Sequence, residues 1–297
     1  MAYYQDYYRA EVLAAERLTP HMLRIVFGGG DLDRFRSTGV GDERLMVVLP
    51  TPGAAEPPPP VRMPDGILDY PDRATCPPMR SYTVRDWEPV RSEMTIDFVL
   101  HPGGVASPWA VRARPGDVVY LTEAGGWYAP APDAQWQVLL ADLTGLPALG
   151  RILENPTSVM ATHAIAEVIE PADQQHLRLP AQTSISWLHG TGNGIGASRL
   201  LDGLRELTLP SGPGYLWFAG DAAESRAVRK FLRHEWGWSA DRFTILGYWR
   251  VKQEQWMARY ATIGERLEGI YASALAQGRS EGDALELYDD ALEKAGL

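Results

Sequence analysis

The sequence predicts an α+β protein of two domains, an N-terminal antiparallel β-barrel followed by an α/β domain on a parallel sheet, with a helical C-terminal extension. Three observations carry this. From Arg9 to about Glu123, short apolar runs are broken by Gly and Pro, the pattern of antiparallel strands and turns. Beyond Ala124, apolar strands alternate with helix-length segments, which implies a parallel sheet. From Trp256 onward, apolar residues step by three and four along one helix face. The expected domains are 1–128 and 129–250, with the extension at 251–297.

In chain order, residues 21–27 (HMLRIVF) alternate polar and apolar and run into Gly28, Gly29 and Gly30; residues 44–49 and 93–101 have the same strand character. The stretch from Pro50 to Pro78, with four consecutive prolines at 57–60, reads as a surface loop. Gly125, Gly126, Pro130 and Pro132 mark the linker near 124–134. Strands are predicted at 136–141, 162–169, 184–188, 215–219 and 242–248, with helices near 146–154, 198–207 and 223–236. The tail forms one helix through Trp256, Tyr260, Ile263, Leu267, Ile270 and Ala274, then a second over about 281–294, opened by an N-cap at Ser280 with Asp283 three residues on.

Composition narrows the function. Hydrophobic residues at 45% and charged residues at 22% place the chain among folded globular proteins. A net charge of -10 repels phosphate backbones and anionic membrane surfaces, so nucleic acid is not an expected partner. One cysteine, Cys76, excludes an intramolecular disulfide and a thiolate-held iron–sulfur cluster, which fits a reducing cytoplasm. Membrane insertion is not expected, because no apolar run reaches spanning length, and the first residues carry no secretion-signal pattern. The six histidines are scattered without ligand spacing, so no resident metal site is expected and any metal arrives as substrate.

Two local motifs carry chemistry. On a strand, Arg80-Ser81-Tyr82-Thr83 places Arg80 and Tyr82 on one face, a guanidinium for a pyrophosphate and a phenol for an aromatic ring, with Thr83 able to meet a ring heteroatom. Residues 97–110 (DFVLHPGGVASPWA) lead from a strand through glycines into Ala106-Ser107, where small residues at a helix start let backbone N–H groups approach phosphate. Gly192-Asn193-Gly194-Ile195-Gly196 is one residue short of the dinucleotide fingerprint and reads as a loop. Glu170 and Asp173 follow the strand at 162–169 with no Lys or Arg before Arg178; such acids favour a ribose hydroxyl and disfavour a 2′-phosphate, predicting NADH over NADPH.

Taken in order, these segments resemble the siderophore-interacting proteins, FAD-containing ferric-siderophore reductases among the ferredoxin-reductase-like flavoproteins. The likeness runs through Arg80-Ser81-Tyr82-Thr83, His101 through Ala110, Pro115-Gly116-Asp117, Ala141 through Ala148, Trp217 through Asp221 and Gly247-Tyr248-Trp249-Arg250. Leu143 and Gly145 replace the Glu and Ala of the family's second-domain segment, and Glu123-Ala124-Gly125-Gly126 replaces a Gly-Pro-rich stretch.

The resemblance implies that the barrel binds FAD through Arg80, Ser81, Tyr82, Thr83, Phe98, His101, Val105, Ala106, Ser107 and Trp249. It places a nicotinamide nucleotide at Asp142, Thr144, Gly220 and Asp221, and an anionic siderophore near Arg250. The expected activity is cytoplasmic release of iron as Fe(II) from a ferric siderophore, with electrons from NADH or from ferredoxin. The acidic chain favours a hydroxamate complex over a highly anionic catecholate. A general flavin or ferric reductase of another pathway, and a non-catalytic FAD- or siderophore-binding module, remain open from the residues alone.

Overall fold

The computed structural model describes residues 4–64, 66–71, 76–156, 160–250, 253–279 and 281–295. The first domain contains β1 (Tyr7–Thr19), β2 (Met22–Gly28), β3 (Arg44–Val48), β4 (Val61–Arg62), β5 (Leu68–Asp69), β6 (Met79–Thr83), β7 (Asp86–Glu88), β8 (Glu93–Val99), helix α1 (Ala106–Arg112) and β9 (Val118–Thr122). Seven of these strands form one antiparallel sheet in the order β6-β3-β9-β1-β2-β8-β7. Alternation drives it: in β2, Ile25 and Phe27 are fully buried while the alternate residues Arg24 and Val26 are half-buried.

Among the described residues no strand ladder closes this sheet, and the expected barrel takes the form of a wrapped, open one. Its two edges, β6 and β7, are consecutive in the chain. Val84 donates its N–H to Glu43 on the β3 side at 2.9 Å, and Arg85 donates to Thr95 on β8 at 2.9 Å, so the chain crosses from one edge to the other within two residues. The rings of Tyr82 and Phe98, 4.3 Å apart, fill the seam. The predicted loop at 50–78 also contains the two-stranded β4–β5 hairpin.

The second domain runs β10 (Trp136–Ala141), α2 (Leu146–Glu154), β11 (Ala161–Val168), β12 (Thr183–His189), α3 (Leu200–Glu206), β13 (Gly214–Asp221), α4 (Ala222–His234) and β14 (Phe243–Trp249). The five strands are parallel in the order β12-β11-β10-β13-β14. All six residues of β10 are buried, and its apolar side chains feed clusters on both faces of the sheet. The order reverses between β10 and β13, and the crevice beyond the carboxyl ends of those strands is where such sheets take ligands. The chain ends in α5 (Gln253–Ala276) and α6 (Glu281–Lys294), at the predicted positions; the Ser280 cap lies outside the described residues.

The domains meet through buried polar bonds. Asp42 accepts the backbone N–H groups of Trp127 at 2.6 Å and Tyr128 at 2.8 Å, and its other oxygen accepts the indole N–H of Trp217 on β13 at 2.9 Å. Fully buried Glu43 pairs with Arg151 of α2 at 2.7 Å, and Arg151 also donates to the Val84 carbonyl. Arg85 pairs with Glu154 at 2.5 Å. His21 and Thr19 hold Asp173 at 2.8 and 2.9 Å. The interface therefore fixes the barrel seam at Val84 and Arg85 against the carboxyl-terminal half of α2.

Candidate functional site

The site is assembled where the barrel seam faces the switch-point crevice. On the barrel side, Arg80 is exposed, its Nη1 donating to its neighbour's carbonyl at Met79 (2.8 Å), while Ser81 is exposed beside it. Tyr82 rests its ring on Phe98, and burial pushes its hydroxyl well above the usual phenol range. Thr83 is buried and pairs across the ladder with Arg44. The guanidinium of Arg44 lies over the rings of Trp127 at 4.3 Å and Tyr248 at 5.4 Å.

Half-buried Tyr248 faces Thr83 from the second domain, and enclosure of its hydroxyl raises it above the usual phenol range. The Tyr248 hydroxyl reaches the Thr83 hydroxyl, and beyond each other neither has a hydrogen-bond partner among the described residues. Buried polar groups are paired in the great majority of folded proteins, and two hydroxyls that have only each other keep hydrogen-bonding capacity for a polar ligand edge. A flavin ring edge fits them, and the exposed Arg80 fits its pyrophosphate.

The loop before α1 is arranged for close approach. Gly103 and Gly104 have φ of +83° and +71°, and a Cβ at Gly103 would meet nothing within 4 Å. Ser107 is already engaged: its hydroxyl accepts the His101 N–H at 3.2 Å and donates to the Val99 carbonyl at 3.1 Å. It staples the loop rather than pointing a donor outward. Val105 precedes α1 as its half-buried N-cap residue, and Ala106 is buried. His101 is exposed with its ring against the Pro102 carbonyl. Phe98, expected in the cofactor set, is fully buried against the rings of Tyr82 and Trp109, and its side chain supports Tyr82 from behind.

In the crevice, Asp142 directly follows β10. Its Oδ1 accepts from the Thr144 N–H (2.8 Å), the Thr144 hydroxyl (2.6 Å) and the Gly145 N–H (3.2 Å), and its Oδ2 accepts the Trp249 indole N–H at 2.5 Å. Both oxygens are thus held by the protein, so Asp142 and Thr144 shape the start of α2. Trp249, predicted with the flavin set, is tied into this crevice, and Tyr248 takes the place beside Thr83. Two glycines are sterically required: a Cβ on Gly145 would stand 2.3 Å from the Ala219 carbonyl oxygen, and one on Gly220 would stand 2.8 Å from Asp142 Oδ2. The departure at Gly145 therefore lets α2 approach β13 closely. Asp221 caps α4, accepting from the N–H groups of Ala223 and Glu224 at 2.8 and 3.2 Å.

Burial outweighs these hydrogen bonds and lifts the Asp142 carboxyl to about 6. Its folded value lies above the unfolded one near 3.9, so the folded state holds the extra proton between these values, and this group's stability contribution falls as pH rises from about 4 to 6. Asp142→Asn is expected to flatten that part of the stability profile by up to about 3 kcal/mol. Urea unfolding of both proteins from pH 4 to 7 measures it.

Other residues come from distant sequence positions. Asn193, at φ +53° in the glycine loop, accepts the Leu143 N–H at 2.9 Å and donates to the Glu167 carbonyl at 3.1 Å, bringing that loop to the crevice. Of the acids predicted to meet a ribose, Asp173 is buried against the barrel, while Glu170 stays exposed with Oε1 3.7 Å from His21 Nδ1. His21, Glu170 and Asp173 form a compact His/carboxylate group that long sequence separation hid. Arg250 is half-buried, its guanidinium 4.1 Å over the Trp256 ring of α5; burial holds it below the usual arginine range.

A wrapped antiparallel FAD-binding domain joined to a five-stranded parallel domain, with the Arg-x-Tyr-Thr strand at their seam, defines a flavoprotein oxidoreductase of ferredoxin-reductase-like fold. Residues 11–128 match the siderophore-interacting FAD-binding domain, and residues 134–252 match the siderophore-interacting protein domain. The chain belongs to the siderophore-interacting protein family. It is 31% identical over 244 residues to the NADPH-dependent ferric-chelate reductase of Escherichia coli, covering 81% of this chain and 92% of that one. Ferric vibriobactin reductase of Vibrio cholerae is 30% identical over 245 residues, 80% of this chain and 88% of the other. The crystal structure of a siderophore utilization protein from T. fusca aligns with a TM-score of 0.74 at 32% identity, over 84% of this chain and 95% of that chain.

Proposed function

We propose that the protein is a ferric-siderophore reductase that takes electrons from NADH through FAD and releases iron as Fe(II) in the cytoplasm. The observation that carries this reading is the pair of enclosed hydroxyls, Thr83 and Tyr248, which have only each other as partners where the FAD-binding domain meets the nucleotide crevice. The named reductases among its relatives support the reaction class.

FAD, when bound, supplies two-electron acceptance from a hydride donor and one-electron delivery to Fe(III). Two ferric complexes are therefore reduced for each nicotinamide oxidised. Arg80 would neutralise the pyrophosphate, Tyr82 backed by Phe98 would support the ring system, and Thr83 with Tyr248 would meet its polar edge. Asp142, through Thr144 and Trp249, keeps the start of α2 and the crevice wall in register. Among the chain's own groups, no acid–base pair is needed at the iron. Release follows because hard anionic oxygen ligands hold Fe(III) far better than Fe(II).

Exposed Glu170 after β11, with no lysine or arginine from 171 to 177, supports NADH as donor, and ferredoxin is the alternative. The net charge of -10 supports a neutral or cationic hydroxamate complex as substrate. Cytoplasmic action is supported by the single cysteine; no helix among the described residues is long and apolar enough to cross a membrane. Steady-state reduction of a ferric hydroxamate with NADH, NADPH or reduced ferredoxin is expected to give the highest kcat/KM with NADH. A higher kcat/KM with NADPH, or activity with ferredoxin alone, overturns the donor assignment.

A further inference from the structure

The tail hairpin is fastened to the nucleotide domain by charge. α4 carries Arg226, Arg229, Lys230 and Arg233 at helical spacing, and α6 meets them with acids. Arg229 contacts Asp289 and Arg233 contacts Asp283; Lys230 Nζ is 2.8 Å from both Asp290 and Glu293, and Arg226 Nε is 4.0 Å from Glu293. The apolar side chains of the hairpin instead pack on one another: Leu267 and Leu292 form the centre of a cluster, with Ile263 and Tyr288 against them, whose members all lie in the hairpin. The two helices are also bonded to each other, through the hydroxyls of Tyr260 and Tyr288 at 2.9 Å and through Arg259 to the Ala295 carbonyl at 2.7 Å. The hairpin thus carries its own core, separate from the clusters of the parallel domain.

What the docked hairpin covers is the cation at the end of β14. Arg250 follows Trp249, whose indole is held by Asp142 in the crevice, and the Arg250 guanidinium lies 4.1 Å over the ring of Trp256 on α5. A cation stacked on an indole and partly removed from water is poorly placed to bind an incoming anion.

We propose that the C-terminal hairpin is a charge-latched lid: the α4–α6 ion pairs hold it closed over Arg250, and weakening them exposes that cation beside the nucleotide crevice. The lid moves as a unit because its core is internal, and its closure depends on complementary charge rather than on shared apolar surface.

The test reads Arg250 itself, without flavin turnover, so its outcome is independent of the reductase reading. The full-length protein is labelled with phenylglyoxal, and the modification rate of Arg250 is followed by peptide mass spectrometry, with exposed Arg112 as internal reference. Asp289→Arg is expected to raise the Arg250 rate several-fold relative to Arg112. The swapped pair Arg229→Asp with Asp289→Arg is expected to return it to the original value. In the wild-type chain, raising salt from 0.1 M to 1 M shortens the screening length from about 10 Å to about 3 Å and should raise the rate in the same direction. If Asp289→Arg reduces helix content by circular dichroism, Lys230→Glu, at a more exposed pair, takes its place. An Arg250 rate unchanged by charge reversal and by salt would show that the lid is not held by charge.

Discussion

Arg151→Ala is expected to destabilise the protein by about 3–5 kcal/mol, the usual consequence of stripping one partner from a buried ion pair. Arg151 and Glu43 have side chains only 8% and 0% exposed, and Arg151 also donates to the Val84 carbonyl where the chain crosses between sheet edges. Without it, Glu43 keeps the Ser37 hydroxyl at 2.6 Å and the Thr38 N–H as donors but remains a buried carboxylate with no cation. Replacing both residues with apolar side chains of similar volume should recover much of the loss, because the larger penalty lies in the orphaned charge. Chemical unfolding of Arg151→Ala and of Glu43→Leu/Arg151→Met measures both. The loss should centre on the seam between the domains, where Thr83 and Tyr248 meet.

The second large effect concerns the cofactor. Arg80 is exposed and engages only the carbonyl of its own neighbour in the bonds described, so Arg80→Ala should leave folding nearly unchanged. Hydrogen bonds to charged groups are worth about 1.5–3 kcal/mol, so FAD affinity should fall by roughly 10- to 150-fold. Equilibrium titration of apoprotein with FAD, followed by flavin fluorescence, measures the change. Arg80→Lys should recover part of it, since an ammonium supplies the charge but not the forked geometry. Equal affinity in all three proteins would remove Arg80 from the flavin site.

Much of the fold could be read along the chain because its signals are local. Alternation marked β2, β3 and β8, strand–helix alternation marked the parallel domain, steps of three and four marked α5, and a cap pattern with an acid three residues on marked α6. The Arg80–Thr83 motif was legible because its residues share one strand. Wrapping without a closed ladder was not, since it depends on the bend at Val84 and Arg85 and on which strands those two residues join. The pairing of β4 with β5 was hidden within a proline-rich stretch.

The rest of the site is made by distant pairs. Asp42 bonds Trp217, and nothing in Gly41-Asp42-Glu43-Arg44 signals a contact 175 residues away. Tyr248 and Trp249 are neighbours on a strand and point to opposite faces, so which of them met Thr83 depended on the register of β14 against β13, and that ladder contains an irregularity between Gly220 and Asp221. Asn193 carried a faint signal as a turn residue among glycines, but its bond to Leu143 spans two loops. The acids of α6 meet their partners on α4, 50 to 63 residues earlier in the chain.

The most direct measurement of the central claim is a single-turnover reaction under anaerobic conditions. Protein carrying FAD is reduced, freed of excess reductant and mixed with a ferric hydroxamate siderophore, while the oxidised-flavin absorbance and a ferrous-iron trap are read together. The account predicts rapid return of the oxidised band with two Fe(II) trapped per flavin. A flavin that stays reduced in the presence of hydroxamate and catecholate complexes alike, with no iron trapped, would contradict it.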